Sequence, residues 1–312
     1  MRTTCVRFGK ATTLTVSVSV CRYVQMATWN LPPEVCSRIV RYAADTDLPS
    51  LCRTSKLFQE HAEPKLYHDI LLRDPRIVSR ICSSLTARDG KRAQYLRRFW
   101  ITFDYRMYPR APLPEQFWRL IHDVFLKADN LEYLYITEVE ACRPWLADPS
   151  SVHFQLRDAA FHMHWDRHLA AFLETQKRLR TLAVTGLPWS IDQRGPTHQA
   201  HPVAPGSLSD LITFEGRAQI ASELLSSPLR HVQTPIDEED GDAFFTFITK
   251  ARTCKTLCSL HAVIIPDYLA CDALRILAES PLCETLRYIG VLALPLDEVS
   301  LSGPLNPAPL TR

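Results

Sequence analysis

The chain has 312 residues, 46% hydrophobic and 22% charged, with a formal net charge of +2. Such a length holds one large or two medium domains, and the composition excludes a disordered or collagen-like chain. A net charge this small gives no whole-molecule drive toward nucleic acid or an anionic membrane, and no run of about 18 apolar residues marks a membrane span. Residues 1–30 come first. Arg2, Arg7, Lys10 and Arg22 meet no acid before Glu34, and Ala11 to Val20 is rich in Thr, Val and Ser. Three readings stay open here: a disordered extension, a misassigned start with the true one at Met26, or an organelle-targeting peptide.

From Leu31 to Leu72 the sequence predicts three short helices. Leu31-Pro32-Pro33-Glu34 opens the first, with proline in the first turn and an acid at the positive end of the dipole. Val35, Ile39 and Tyr42 follow at helical spacing. Asp45-Thr46-Asp47 ends that helix and caps a second carrying Leu48, Leu51 and Cys52. Ser55 caps a third with Leu57, Phe58 and His61, which Pro64 is expected to end. A unit of about 40 residues buries little apolar surface alone, so apolar residues on more than one face call for a partner. The same helices can also be read as a plain helical cap on a larger domain.

Leu31-Pro32, Glu34, Ile39, Asp47-Leu48, Leu51 and Ser55-Lys56-Leu57-Phe58, in that order, resemble an F-box. The ending Glu63-Pro64-Lys65-Leu66-Tyr67 is similar to the fungal form. Ala43-Ala44 departs from the family's larger apolar residue, and Pro49 is expected to interrupt the start of the second helix. The resemblance implies a partner, the Skp adaptor of a cullin–RING ubiquitin ligase. It also implies an adaptor contact through Leu31, Pro32, Val35, Ile39, Leu48 and Leu51, some of which belong to either the interface or the module's own core.

Residues 73–95 read as a linker helix followed by a charged turn. A pattern then recurs: Leu96-x-x-Phe99-x-Ile101, Leu131-x-x-Leu134-x-Ile136, Leu179-x-x-Leu182-x-Val184, Leu229-x-x-Val232-x-Thr234, Leu257-x-x-Leu260-x-Ala262 and Leu286-x-x-Ile289-x-Val291. Amphipathic helices around Phe117–Phe125, Leu169–Leu173, Ile220–Leu225, Phe244–Ile248 and Leu274–Leu277 precede most copies. This resembles irregular leucine-rich repeats, whose strands stack because no unit buries its apolar side alone. The wide spacings after Leu131 and Leu179 call for insertions, at Arg143–Pro149 and Pro188–Ser209, the second a mobile loop. The fold expected is therefore α/β: a three-helix F-box-like module at 31–72, then an irregular leucine-rich-repeat-like solenoid at 96–299 and a disordered tail at 300–312. A generic α/β domain with coincidental leucine clusters is the competing fold.

Reactive parts are sparse. The ten cysteines stand mostly singly at apolar positions, Cys36, Cys52, Cys82, Cys142, Cys271 and Cys283 among them. They predict buried free thiols in a reducing compartment, the cytoplasm or nucleus. Cys254 and Cys258 have no second pair at zinc spacing. His164 and His168 share a helical face without a third ligand, and Asp237–Asp242 lacks the closing glutamate of a calcium loop. No phosphate-binding glycine loop or nucleophile elbow is present. The expectation is a non-enzymatic chain with no cofactor, metal, nucleic-acid or membrane partner. It acts as the substrate-recognition subunit of an SCF-type ligase, its repeats meeting an unknown protein target through strand residues such as Tyr133, Tyr135 and Thr181. The alternative is a repeat scaffold with no ligase role.

Overall fold

A computed structural model describes residues 7–8, 12–13, 31–102, 115–136, 148–163, 165–185, 201–235, 241–262 and 267–290. Two short strands, β1 (Arg7–Phe8) and β2 (Thr12–Thr13), pair antiparallel. Three helices follow: α1 (Pro33–Tyr42), α2 (Leu48–Thr54) and α3 (Lys56–Leu66). Pro49 does not interrupt α2, because it sits in the first turn, where a backbone N–H has no intrahelical acceptor to lose. Ser55 caps α3 by accepting the Phe58 amide at 3.2 Å. This helix runs through Pro64 to Leu66 and does not end at it. Only the bond to the Glu60 carbonyl is forfeited, in the final turn.

Nine strands then form one parallel sheet in strict chain order. They are β3 (Asp69–Leu72), β4 (Arg98–Ile101), β5 (Tyr133–Ile136), β6 (Asp158–Phe161), β7 (Thr181–Val184), β8 (Thr213–Gly216), β9 (His231–Thr234), β10 (Ser259–Ala262) and β11 (Tyr288–Gly290). Between them lie α4 (Pro75–Thr86), α5 (Glu115–Phe125), α6 (Arg167–Thr175), α7 (Ala218–Glu223), α8 (Gly241–Ala251), α9 (Asp267–Ala278) and the one-turn α10 (Leu282–Thr285). From β3 to β8 the second and fourth residues of each strand are buried and the first and third only half-buried. The buried strand residues share one core with Val78, Trp118, Ile121, Phe172 and Phe247 of the helices. A chain of edge-to-face rings runs through it, from Phe99 to Phe125 (5.9 Å), Phe154 (5.7 Å) and Phe172 (6.2 Å). The residue before each strand extends the ladder. The carbonyl of His68 accepts from the amides of Arg97 and Arg98, that of Arg157 from Arg180 and Thr181, and that of Arg230 from Cys258 and Ser259.

All six expected strands form, and three more stand beside them. β3 lies inside the stretch assigned to the helical module, so the sheet begins before residue 73. β6 and β8 fill the two wide gaps, with Leu156 and Leu211 buried like Leu96, Leu131, Leu179, Leu229 and Leu257, the leading leucines of five of the six expected units. Part of the expected mobile loop is therefore core, since Val203 and Leu208 are also buried. Buried Gln176 fixes the hidden unit by accepting the Leu156 amide at 2.8 Å. Gly216 explains why β8 escapes the pattern. A Cβ there would lie 2.6 Å from the Val184 carbonyl oxygen and 2.7 Å from the Phe214 ring. Replacing Gly216 with valine, which restores the apolar pattern, is expected to destabilise the chain by about 2 kcal/mol, read as a lower urea midpoint.

The helical module joins the sheet through a buried carboxylate. Glu63 of α3, only 7% exposed, accepts from Arg92 Nη2 at 2.6 Å and Nε at 2.9 Å, and from Gln59 at 2.6 Å. Arg92 also donates to Ser84 of α4 at 3.0 Å and stacks over Tyr67. Burial pushes the Glu63 carboxyl up, but the hydrogen bonds from Arg92 and Gln59 and the charges of Arg92 and Arg88 outweigh it, and the net shift is downward. A carboxylate held low stabilises the fold above its unfolded pKa, and that contribution is lost as pH falls through the folded value. Glu63→Gln is expected to cost about 3 kcal/mol at pH 7, and the deficit relative to the parent should shrink toward pH 4 in paired urea titrations.

Candidate adaptor-binding surface

An α-helix packed on one core shows one apolar stripe; α1 shows two. Cys36 and Val40 point inward at 2% and 4% exposure, while Val35, Ile39 and Tyr42 are 41%, 40% and 79% exposed. Leu31, just before the helix, is 37% exposed, and Pro32 is exposed as well. Val40 of the inner stripe meets Leu48 and Ala62 in a small core separate from that of the sheet, flanked by Ala43, Leu51, Cys52, Phe58 and Leu66. Lys65 pins the end of α1 to α3 by donating to the Ala43 carbonyl at 2.8 Å, with Asp45 at 3.4 Å. Between α1 and α2 runs an open groove of about 860 Å³ lined by Val35, Arg38, Ile39, Tyr42, Leu51 and Thr54.

This geometry divides the six residues expected to touch an adaptor. Leu31, Pro32, Val35 and Ile39 form a common outer face, and Leu51 lines the groove while half-buried. Leu48, at 1% exposure, is internal core and leaves the contact list. Arg38 and Tyr42 join the outer face. Their positions three and seven residues after Val35 carried the signal, since both spacings recur on one helical face.

The residues expected to meet a target share the sheet face opposite the helices. Tyr133 of β5 stands in register with Arg98 and Asp158, and Asp158 in turn with Thr181 of β7. Tyr135 lies one row on, beside Trp100 and Ala160. Arg98 sits 4.8 Å over the Tyr133 ring and 3.7 Å from Asp69. Trp100, a half-buried aromatic on the same face, was missed although it occupies the same strand position as Tyr135.

Among the described residues, no three His, Cys, Asp or Glu side chains are grouped to hold a metal. Asp166 caps α6 by accepting the amides of His168 and Leu169, while His164, Cys142 and residues 237–240 lie outside the described residues. Burial, with the Asp123 charge adding to it, pushes the Cys82 thiol up to about 12. Cys36 is buried like it and Cys52 is half-buried, but Cys271 and Cys283 are exposed, contrary to the expectation for those two. Among the described residues no helix is long and apolar enough to cross a membrane.

Residues 28–73 match the family model described as F-box-like. No curated protein matches the chain. The F-box-like match thus covers the whole groove-bearing module together with β3. Domains of this family bind Skp-type adaptors in cullin–RING ligases and are typically non-catalytic components, which points to an SCF substrate-adaptor role in general. Within the module, Leu48→Ala is expected to cost about 3 kcal/mol of stability through the cavity it leaves. Ile39→Asp should stay within about 0.5 kcal/mol of the parent, both compared by urea denaturation.

Proposed function

We propose that the chain is the substrate-recognition subunit of an SCF-type ubiquitin ligase, holding the Skp adaptor through α1 and α2 and a protein target through the sheet. One observation carries the reading: inside the matched domain, Leu31, Val35, Ile39 and Tyr42 form an exposed apolar stripe over a core of only three buried residues. Such a module gains its missing burial from a partner. The adaptor contact is Leu31, Pro32, Val35, Ile39, Tyr42 and Leu51.

The sheet is read as an irregular leucine-rich-repeat array beginning at β3. The sequential parallel order supports this, as do the buried first, fourth and sixth positions of the units at β4 to β9. The face carrying Trp100, Tyr133, Tyr135 and Thr181 meets the target. Aromatics of this kind are enriched at protein interfaces. The chain supplies no reacting group. It acts by proximity, raising the effective concentration of a target near a ubiquitin-charged partner, in the cytoplasm or nucleus.

Co-expression with a Skp-type adaptor and affinity purification test the reading. The parent chain should bring the adaptor down stoichiometrically, and Leu31→Ala with Pro32→Ala and Ile39→Asp should lower recovery at least tenfold. Unimpaired recovery from that variant would overturn the assignment in favour of a repeat scaffold.

A further inference from the structure

The position before each strand forms a row along the amino-terminal rim of the sheet, joined by the backbone ladder described above. On β4 this position is Arg97, whose charge is met by Glu132 of the neighbouring strand at 2.9 Å. From β6 onward the row changes character. Arg157 and Arg180 are adjacent; Ile212, Arg230, Cys258 and Arg287 then alternate arginine with an uncharged residue. Arg180, Arg230 and Arg287 are exposed, Arg157 is half-buried, and none of the four has an acidic partner among the described residues.

Adjacent strands lie about 4.8 Å apart, so Arg180, Arg230 and Arg287 stand at intervals of roughly 10 Å. Three residues of an extended peptide cover the same length, at about 3.3 Å each. We propose that this rim holds an extended acidic segment of a protein target, lying across the strands with an acidic side chain at every third residue. Guanidinium groups suit carboxylate or phosphoryl oxygens, which they can grip by two parallel bonds. Thr181, Thr213, His231 and Ser259, the first residues of the same strands, add further hydrogen-bonding groups beside the row. A nucleic acid fits less well. Asp158 and Glu215 stand within the next rows, where a continuous phosphate backbone would meet them. The proposal rests on the sheet being the target-holding part of the chain and names the chemistry of what it holds.

The test is fluorescence anisotropy on the full chain purified with its Skp-type adaptor. The probe is a labelled peptide with glutamate at every third position and serine and glycine between. Saturable binding that weakens as salt rises is expected. Combined Arg180→Glu, Arg230→Glu and Arg287→Glu should weaken it about tenfold or more, whereas Arg252→Glu, an exposed arginine on the turn after α8, should leave it unchanged. A peptide of equal composition with its glutamates contiguous should bind more weakly. Equal binding by the reversed triple variant, equal binding of the contiguous peptide, or tighter binding of a single-stranded oligonucleotide of matched charge would each overturn the proposal. Adaptor recovery is scored on the same samples. Retained recovery shows that the triple variant folds; an adaptor-bound parent that ignores the peptide sinks this inference alone, and peptide binding without adaptor recovery sinks only the ligase reading.

Discussion

The sheet depends on register. Every parallel pair is aligned so that second residues face second residues, from Ile70 through Phe99, Leu134, Ala159, Leu182, Phe214 and Val232 to Leu260 and Ile289. Because side chains alternate, a slip of one residue would carry Arg98, Tyr133 and Asp158 into the core and their apolar neighbours out of it. The alignment is enforced from one side only, where the helices and the linked phenylalanine rings lie. Residues on the opposite face carry no packing duty toward that core, which leaves their chemistry open to other uses.

The second constraint is the ion pair between Glu63 and Arg92. A buried pair of this kind adds little net stability over apolar residues of the same size. Its use here is geometric. Arg92 bonds Glu63 of α3, Ser84 of α4 and the face of Tyr67 together, so three elements meet at one guanidinium with directional bonds. If the module docks as proposed, this joint decides how the sheet is oriented relative to the ligase.

The helical module was legible because its punctuation is local: prolines in first turns, Ser55 as a cap, and apolar residues at helical spacing. Which apolar residues face outward was not, since Leu48 and Ile39 differ only in what other helices place beside them. Six strands were legible from leucines at fixed offsets. Of the remaining three, β3 falls inside the stretch that reads as the helical module, and the other two are masked by the small residues at their core positions. At β6 the second residue is Ala159, and at β8 the fourth is Gly216, where neighbouring atoms leave no room for a side chain. The Glu63–Arg92 pair, 29 residues apart, joins the third helix to a segment that reads as nothing more than a charged turn. The arginine row was equally invisible, because unequal spacing along the chain conceals equal spacing across the sheet.

Strict sequential pairing also turns the sheet into a scale of length. Eight intervals at about 4.8 Å place β11 roughly 38 Å from β3, measured across the strands, with the helical module attached at the β3 end. Whatever contacts a given strand is thereby assigned a distance from that module, in steps of one strand. Adding or removing a strand would change that distance without altering the chemistry of the strands that remain, so under the proposed function reach and recognition are separately adjustable.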